Sequence, residues 1–305
     1  MLEKDVWVCW VLQHLFAMPG RLPMAFKGGT SLSKVFNAIA RFSEDVDITL
    51  DYRGLDPSFD PFAEGVSRNQ LRKSSEALKD FVLAHVQGVV APYFRGALVE
   101  QFGADAGKVE VSEDGEQLRV HYATALEPRG DYVGSSVLVE FGGRNITEPN
   151  EDHEIRPDIA GHLAELDFPV AQVRVLSPAR TFWEKATLMH VECHRDEFRA
   201  NADRLSRHWY DLAMLADCEI GALALGDRDL LADVVKHKKV FYSAGYANYD
   251  ACLTGQMRLL PATAVLAALH EDFRSMVDAG MFIGTPPSFD HIVERLRALE
   301  ATINR

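Results

Sequence analysis

The residues with the most chemical content stand in two short runs, Phe26-Lys27-Gly28-Gly29-Thr30-Ser31 and Arg41-Phe42-Ser43-Glu44-Asp45-Val46-Asp47-Ile48. Two glycines between an apolar stretch and a helix let backbone N–H groups come close to a phosphate, and a helix beginning there favours anions. Thr30 and Ser31 add hydroxyl donors. Asp45 and Asp47 alternate with Val46 and Ile48. On a strand, residues two apart share a side at roughly 6.5–7 Å, so the carboxylates face one way and the apolar side chains the other. Such an oxygen pair suits Mg²⁺, and two ions roughly 3.5–4 Å apart can activate a hydroxyl and stabilise a leaving oxygen. Singly, a Gly-Gly turn is common and Asp-x-Asp describes two solvated acids. Joined by a short helix, they point to phosphate chemistry. The glycine loop lacks the Lys-Ser/Thr ending of a P-loop, and no Gly-x-Ser-x-Gly element is present.

Three further groups carry chemistry. Glu140 closes the apolar strand Ser136 to Phe141 and could accept a proton from an attacking hydroxyl; Arg144 could meet a phosphate or pair with Glu140. Lys185 lies at helical spacing from Phe182, Leu188 and Met189, where a lysine either snorkels or aims into a cleft. Arg204, Arg207, His208 and Asp211 share one helix face, with Leu205, Trp209 and Leu212 opposite. By itself that face describes a surface stripe of ion pairs. Lys236, Lys238 and Lys239 precede Tyr242, Tyr246 and Tyr249, a mixture that can meet RNA phosphates and stack on bases, or else a solvated helix end. His190-x-x-Cys193-His194 has no fourth ligand at a suitable spacing.

The elements that must position these residues follow from periodicity and breakers. Residues 2–18 read as a helix stopped at Pro19-Gly20, 24–26 as a short strand, 31–40 as a helix and 45–50 as a strand. After a loop over 51–61 comes a long helix near 67–91, then strands at 108–111, 118–122 and 136–141. Residues 142–156 read as polar and irregular, and 173–176 as a strand. Ser177-Pro178 opens a helical remainder, with helices near 178–194, 201–217, 227–238, 262–279 and 288–303. The expected fold class is α+β, with a mixed sheet flanked by helices in residues 1–168 and a helical lobe in 169–305.

Composition sets limits. With 305 residues, 47% apolar and 25% charged, the chain suits a globular protein with one or two cores. No uninterrupted apolar run approaches the roughly 20 residues that span a bilayer. Four scattered cysteines form no CxxC pair, which fits reduced thiols and a cytoplasmic location. The net charge of −13 requires that any RNA contact be local and salt-sensitive.

The glycine loop, helix and Asp-x-Asp strand resemble the nucleotidyltransferase superfamily associated with DNA polymerase beta. More narrowly, the runs around Gly28-Gly29-Thr30 and Arg41-Phe42-Ser43-Glu44-Asp45-Val46-Asp47 resemble the AbiEii/AbiGii family of nucleotidyltransferase toxins, which includes the MenT toxins. The resemblance implies that Asp45 and Asp47, with Glu140 as third carboxylate, bind Mg²⁺, two ions in all. It implies that Lys27, Gly28, Gly29, Thr30, Ser31, Ser43 and Arg207 hold the NTP. The family's functional Lys and Asp fall on Lys185, to neutralise the triphosphate, and Asp211, to orient that lysine or a nucleotide hydroxyl. The implied reaction moves a nucleoside monophosphate from an NTP to the 3′ end of tRNA with release of pyrophosphate. The resemblance further implies a toxin restrained by a cognate antitoxin, with no membrane involved. Transfer to a small molecule or a protein hydroxyl stays open, as does an inert nucleotide-binding module.

Overall fold

The computed structural model describes residues 1–105, 107–124, 134–195 and 204–305. The chain divides into two compact units, Met1–Val35 with Ser43–Leu176, and Phe36–Phe42 with Ser177–Arg305.

The first unit is built on a seven-stranded mixed sheet, β1 (Met24–Lys27), β2 (Val46–Asp51), β3 (Gly107–Val111), β4 (Gln117–Tyr122), β5 (Ser136–Asn145), β6 (Asn150–Ile155) and β7 (Ala171–Leu176). Their order is β3-β4-β5-β2-β1-β7-β6. β2 runs parallel to β5 and β1 parallel to β7, while the other neighbours are antiparallel. Register and burial separate the two faces. Val46, Ile48 and Leu50 of β2 stand beside Val139 and Phe141 of β5, and all are buried. Leu118 and Val120 pair with Val139 and Val137 and continue the same apolar face. Helices cover this face. Trp7 of α1 (Leu2–Ala17) stacks on Tyr122 with ring centroids 4.7 Å apart. Val82 of α4 (Arg68–His85) presses on Gly143, where a β-carbon would lie 2.4 Å from its Cγ2 atom. Any larger residue would push the helix off the sheet.

The sequence places six of the seven strands of this unit, misses β6 and misjudges several boundaries. The expected helix at 31–40 is α2, Gly28–Lys34. It ends early because residues 36–42 belong to the second unit. The short α3, Tyr52–Leu55, occupies the start of the expected loop, and the Asp51 side chain accepts a hydrogen bond from Arg53 N at its start. α4 begins with a capping box between Ser67 and Gln70 and does not stop near residue 91. It passes through one π-turn, Val86–Val90, into α5, Ala91–Phe102. By length and composition alone this helix passes as a membrane span, with a mean hydropathy of 1.2 and 39% of its apolar window buried. Val82, Val86, Val90, Phe94 and Leu98 are buried, and α4 and α5 pack on β5 and β3, as core helices do. Residues 142–156 are not irregular: β5 extends to Asn145 and β6 follows. The signal was hidden because β6 is an edge strand whose Glu151, Asp152 and Glu154 are exposed, the polar pattern that protects sheet edges.

The second unit is helical: α6 (Pro178–Glu192), α7 (Ser206–Ala216), α8 (Glu219–Gly226), α9 (Arg228–Phe241), α10 (Thr263–Asp278) and α11 (Phe289–Ile303). Positions 201–203 of the expected helix 201–217 lie outside the described residues. α7 packs against α6, α8, α10 and α11. Trp183 and Trp209 are fully buried, and their indole N–H groups donate to Ala224 O and Leu259 O at 3.1 and 3.0 Å. The excursion 36–42 joins this unit through backbone bonds: Phe42 N donates to Met281 O and Ile283 N to Ala40 O, flanking an antiparallel bridge between Arg41 and Phe282.

Candidate active site

In the first unit, four adjacent strands bring chemical groups into one transverse row. Lys27 on β1 is in register with Asp47 on β2, Asp47 with Glu140 on β5, and Glu140 with Gln117 on β4. Residues in register share a face, and neighbouring strands lie about 4.8 Å apart. Lys27, Asp47 and Glu140 are part-exposed, on the side opposite the helix-covered core. Gln117 Nε2 donates to Glu140 Oε1 at 3.0 Å, which orients that carboxylate. Arg144 pairs with Glu116 at 3.2 Å. Asp45 stands one residue before β2, part-exposed, with Val46 buried between it and Asp47.

The glycine turn meets this row directly. Gly28 has φ +79, and a β-carbon there would lie 2.0 Å from Asp47 Oδ2. Only glycine allows both the backbone angle and the approach of the carboxylate. Thr30 and Ser31 are buried. The Ser31 hydroxyl donates to Gly28 O at 2.9 Å, which braces the turn. The Thr30 hydroxyl donates to Asp45 O and lies 2.9 Å from the Ser43 hydroxyl. A carbonyl only accepts, so the Ser43 hydroxyl supplies the hydrogen in the second contact. Thr30 and Ser43 thus fasten the acid-bearing segment to the glycine turn.

The donor set of Asp45, Asp47 and Glu140 consists of carboxylate oxygens, which fits Mg²⁺ in kind. Among the described residues, no three His, Cys, Asp or Glu side chains are already grouped to hold an ion. Asp51, at the end of β2, is engaged otherwise: Arg53 and Thr147 both bond its carboxylate. Burial opposes its ionisation, but those bonds hold it below the usual carboxylate range.

The second unit holds a buried ion cluster. Asp211 on α7 is fully buried and accepts from Arg41 Nε at 2.7 Å and Arg41 Nη2 at 2.8 Å, a bidentate pair. Lys185 on α6 approaches the same carboxylate at 2.9 Å. The Lys185 ammonium also lies 3.4 Å from His208 Nδ1. Burial, then the charges of Lys185 and Arg207, push the His208 pKa well down, so the neutral ring accepts from Lys185. Burial opposes ionisation of Asp211, yet Arg41 and Lys185 hold its carboxyl well below the usual range. Burial also lowers the Lys185 pKa, against the pull of Asp211.

A family model described as "Nucleotidyl transferase AbiEii toxin, Type IV TA system" matches residues 10–295. The chain belongs to the AbiEii family. As an AbiEii protein it is a nucleotidyltransferase, and membership brings an NTP substrate and an antitoxin partner. Comparison with curated protein sequences gives no match. MenT4, a nucleotidyltransferase toxin from Mycobacterium tuberculosis, is a similar solved structure, 18% identical, with a TM-score of 0.45 over 99% of this chain and 91% of that one. A likeness that distant adds nothing to the family model.

Within the AbiEii chain, Lys27, Gly28, Asp47 and Glu140 come together in the first unit, with Thr30, Ser31, Ser43 and Asp45 on the adjoining turn and segment. Lys185, Asp211, His208 and Arg207 come together in the second. Sequence reasoning missed Arg41 as a site residue. Its signal was its place two residues before Ser43 in the family-like run, but its partner lies 170 positions away. The lysine- and tyrosine-rich stretch also forms a surface. Lys238 lies 4.6 Å from the Tyr242 ring and Arg195 4.9 Å from the Tyr246 ring, with the two tyrosines 38% and 39% exposed. Lys236 and Lys239 are exposed, and Lys239 pairs with Asp250 at 2.6 Å.

Proposed function

We propose that this AbiEii nucleotidyltransferase moves a nucleoside monophosphate from an NTP to the 3′-hydroxyl of an RNA, with tRNA the first candidate acceptor, and that it works in the cytoplasm as a toxin. The observation that carries the reading is the row Lys27, Asp47, Glu140 set against the Gly28 turn. Asp45 and Asp47, with Glu140 beside them, are the residues that hold Mg²⁺. When bound, the ion neutralises phosphate charge and lowers the pKa of the attacking hydroxyl. Gly28 and Gly29 let the chain approach the phosphates. Thr30, Ser31 and Ser43 act from behind, by fixing the turn and the acid segment to each other. Lys27, and Lys185 with Arg207, neutralise the triphosphate. The acceptor hydroxyl forms a bond to the α-phosphorus, and the bond to pyrophosphate breaks.

An acceptor RNA requires a local basic surface on a chain of net charge −13. Lys236, Lys238, Lys239, Arg195, Tyr242 and Tyr246 supply cations and aromatic rings together. The deciding experiment incubates purified protein with Mg²⁺, each labelled NTP and total tRNA. End-labelled tRNA is expected, with none from Asp45→Ala. Label on a small molecule or a protein instead would replace RNA as acceptor, and equal labelling by Asp45→Ala would remove the proposed reaction centre.

A further inference from the structure

Among the described residues, the direct contacts at Asp211 hold more cations than carboxylates. One carboxylate faces two cations within hydrogen-bonding distance, Arg41 at 2.7 and 2.8 Å and Lys185 at 2.9 Å. Arg207, part-exposed, adds a further positive charge acting on Lys185. His208 stays neutral and contributes no counter-charge. Side-chain exposure is 3% for Arg41, 0% for Asp211 and 8% for Lys185. An uncompensated buried charge is costly, so an anionic ligand is a favourable partner for a surplus cation. Lys185 and Asp211 without Arg41 would be a closed, neutral pair.

We propose that Arg41 is a positioning residue of the transfer reaction, and that by taking up the charge of Asp211 it leaves the Lys185 ammonium available to a phosphate. The inference rests on the reading that Lys185 meets the triphosphate. The bidentate geometry supports it: the guanidinium engages both Asp211 oxygens, so the ammonium shares an acceptor whose charge is already satisfied. With Arg41, the contact group of Arg41, Lys185 and Asp211 carries one surplus positive charge, and Arg41 acts through Lys185 without touching the substrate.

The test counts charge. NTP affinity is measured by calorimetry in Mg²⁺ on the full-length chain, with folding checked by circular dichroism. Arg41→Gln, which leaves Lys185 and Asp211 neutralising each other, is expected to weaken NTP binding by about tenfold or more. Arg41→Lys, which keeps the charge, is expected to retain most of the affinity. The double variant Arg41→Gln with Asp211→Asn restores the surplus and is expected to regain NTP binding, which a purely structural role for Arg41 would not produce. Should Arg41→Gln fail to fold, the folded double variant decides: NTP affinity near wild type supports the inference and weak affinity overturns it. Should neither fold, Arg41→Lys decides on the same terms. A folded Arg41→Gln chain that binds NTP like wild type overturns the role of Arg41 alone. A wild-type chain that binds no NTP overturns the underlying reading instead.

Discussion

Asp47 lies so close to Gly28 that a β-carbon on the glycine would stand 2.0 Å from the acid's Oδ2 atom. The two residues are on neighbouring elements, and the contact sets where the carboxylate points. Gly28→Ala must strain a backbone at φ +79 and also displace Asp47. A displacement of about 1 Å at a reacting group costs on the order of 10²-fold in rate. The expected result is a folded protein with that loss in transfer rate. Wild-type rate in Gly28→Ala would mean that the acid does no chemistry there.

Thr30 ties the acid segment to the turn through one hydroxyl. Thr30→Val keeps the shape but leaves Asp45 O and the Ser43 hydroxyl without that partner. A buried group left unsatisfied costs about 1–3 kcal/mol. Thermal melts are expected to show that loss, with Thr30→Ser close to wild type. If Thr30 instead gripped phosphate through its hydroxyl, Thr30→Val would raise the KM for NTP and leave the melt unchanged.

Acid is expected to destabilise the second unit through His190. Its Nδ1 accepts from Arg258 N at 2.9 Å and its Nε2 lies 3.1 Å from Asn248 O, so the ring is held neutral. Burial is the main cause that lowers its pKa from 6.5 to about 4. The unfolded chain therefore binds the proton more readily between those values. The contribution is complete above about pH 6.5 and is lost as pH falls toward 4, up to about 3 kcal/mol at 1.36 kcal/mol per unit. Melting temperature measured from pH 7 to 4 should fall, and should fall less steeply in His190→Gln. Parallel curves for the two proteins would refute this assignment.

The tyrosine surface predicts a split in kinetic constants. Tyr246→Ala removes a half-exposed ring beside Arg195, and stacking on a base is worth about 1–3 kcal/mol. A rise of about tenfold in the KM for RNA is expected, with the KM for NTP unchanged. Lys236→Glu with Lys239→Glu should weaken RNA binding further and flatten its salt dependence. Equal RNA affinity in both variants would move the acceptor surface elsewhere.

Legibility in the sequence followed the range of the forces. β2 was readable because its acids and apolar residues alternate, and Val46 and Ile48 are buried as that alternation requires. The glycine turn was readable because few residues suit its backbone. The pairing of Glu140 with Asp47 is beyond the reach of local pattern, since nothing along either strand reports which strands become neighbours. β6 was missed because an exposed edge strand carries charges instead of an apolar stripe. Lys185 read as a lysine that either snorkels or aims into a cleft and Asp211 as a member of a surface stripe, and only the family resemblance raised them above those readings. Arg41 was passed over because its carboxylate partner is 170 residues distant.

The path of the main chain has a practical consequence for anyone dividing this protein. It passes from one unit to the other after Val35, back after Phe42, and across again after Leu176. A cut after Leu176 therefore does not yield two self-sufficient pieces. The C-terminal fragment would lack the peptide 36–42, and with it the guanidinium that satisfies Asp211 and the chain that bridges to Phe282. Expressed alone it should be poorly folded, and a synthetic heptapeptide of that sequence, added in trans, is the natural complement to restore it.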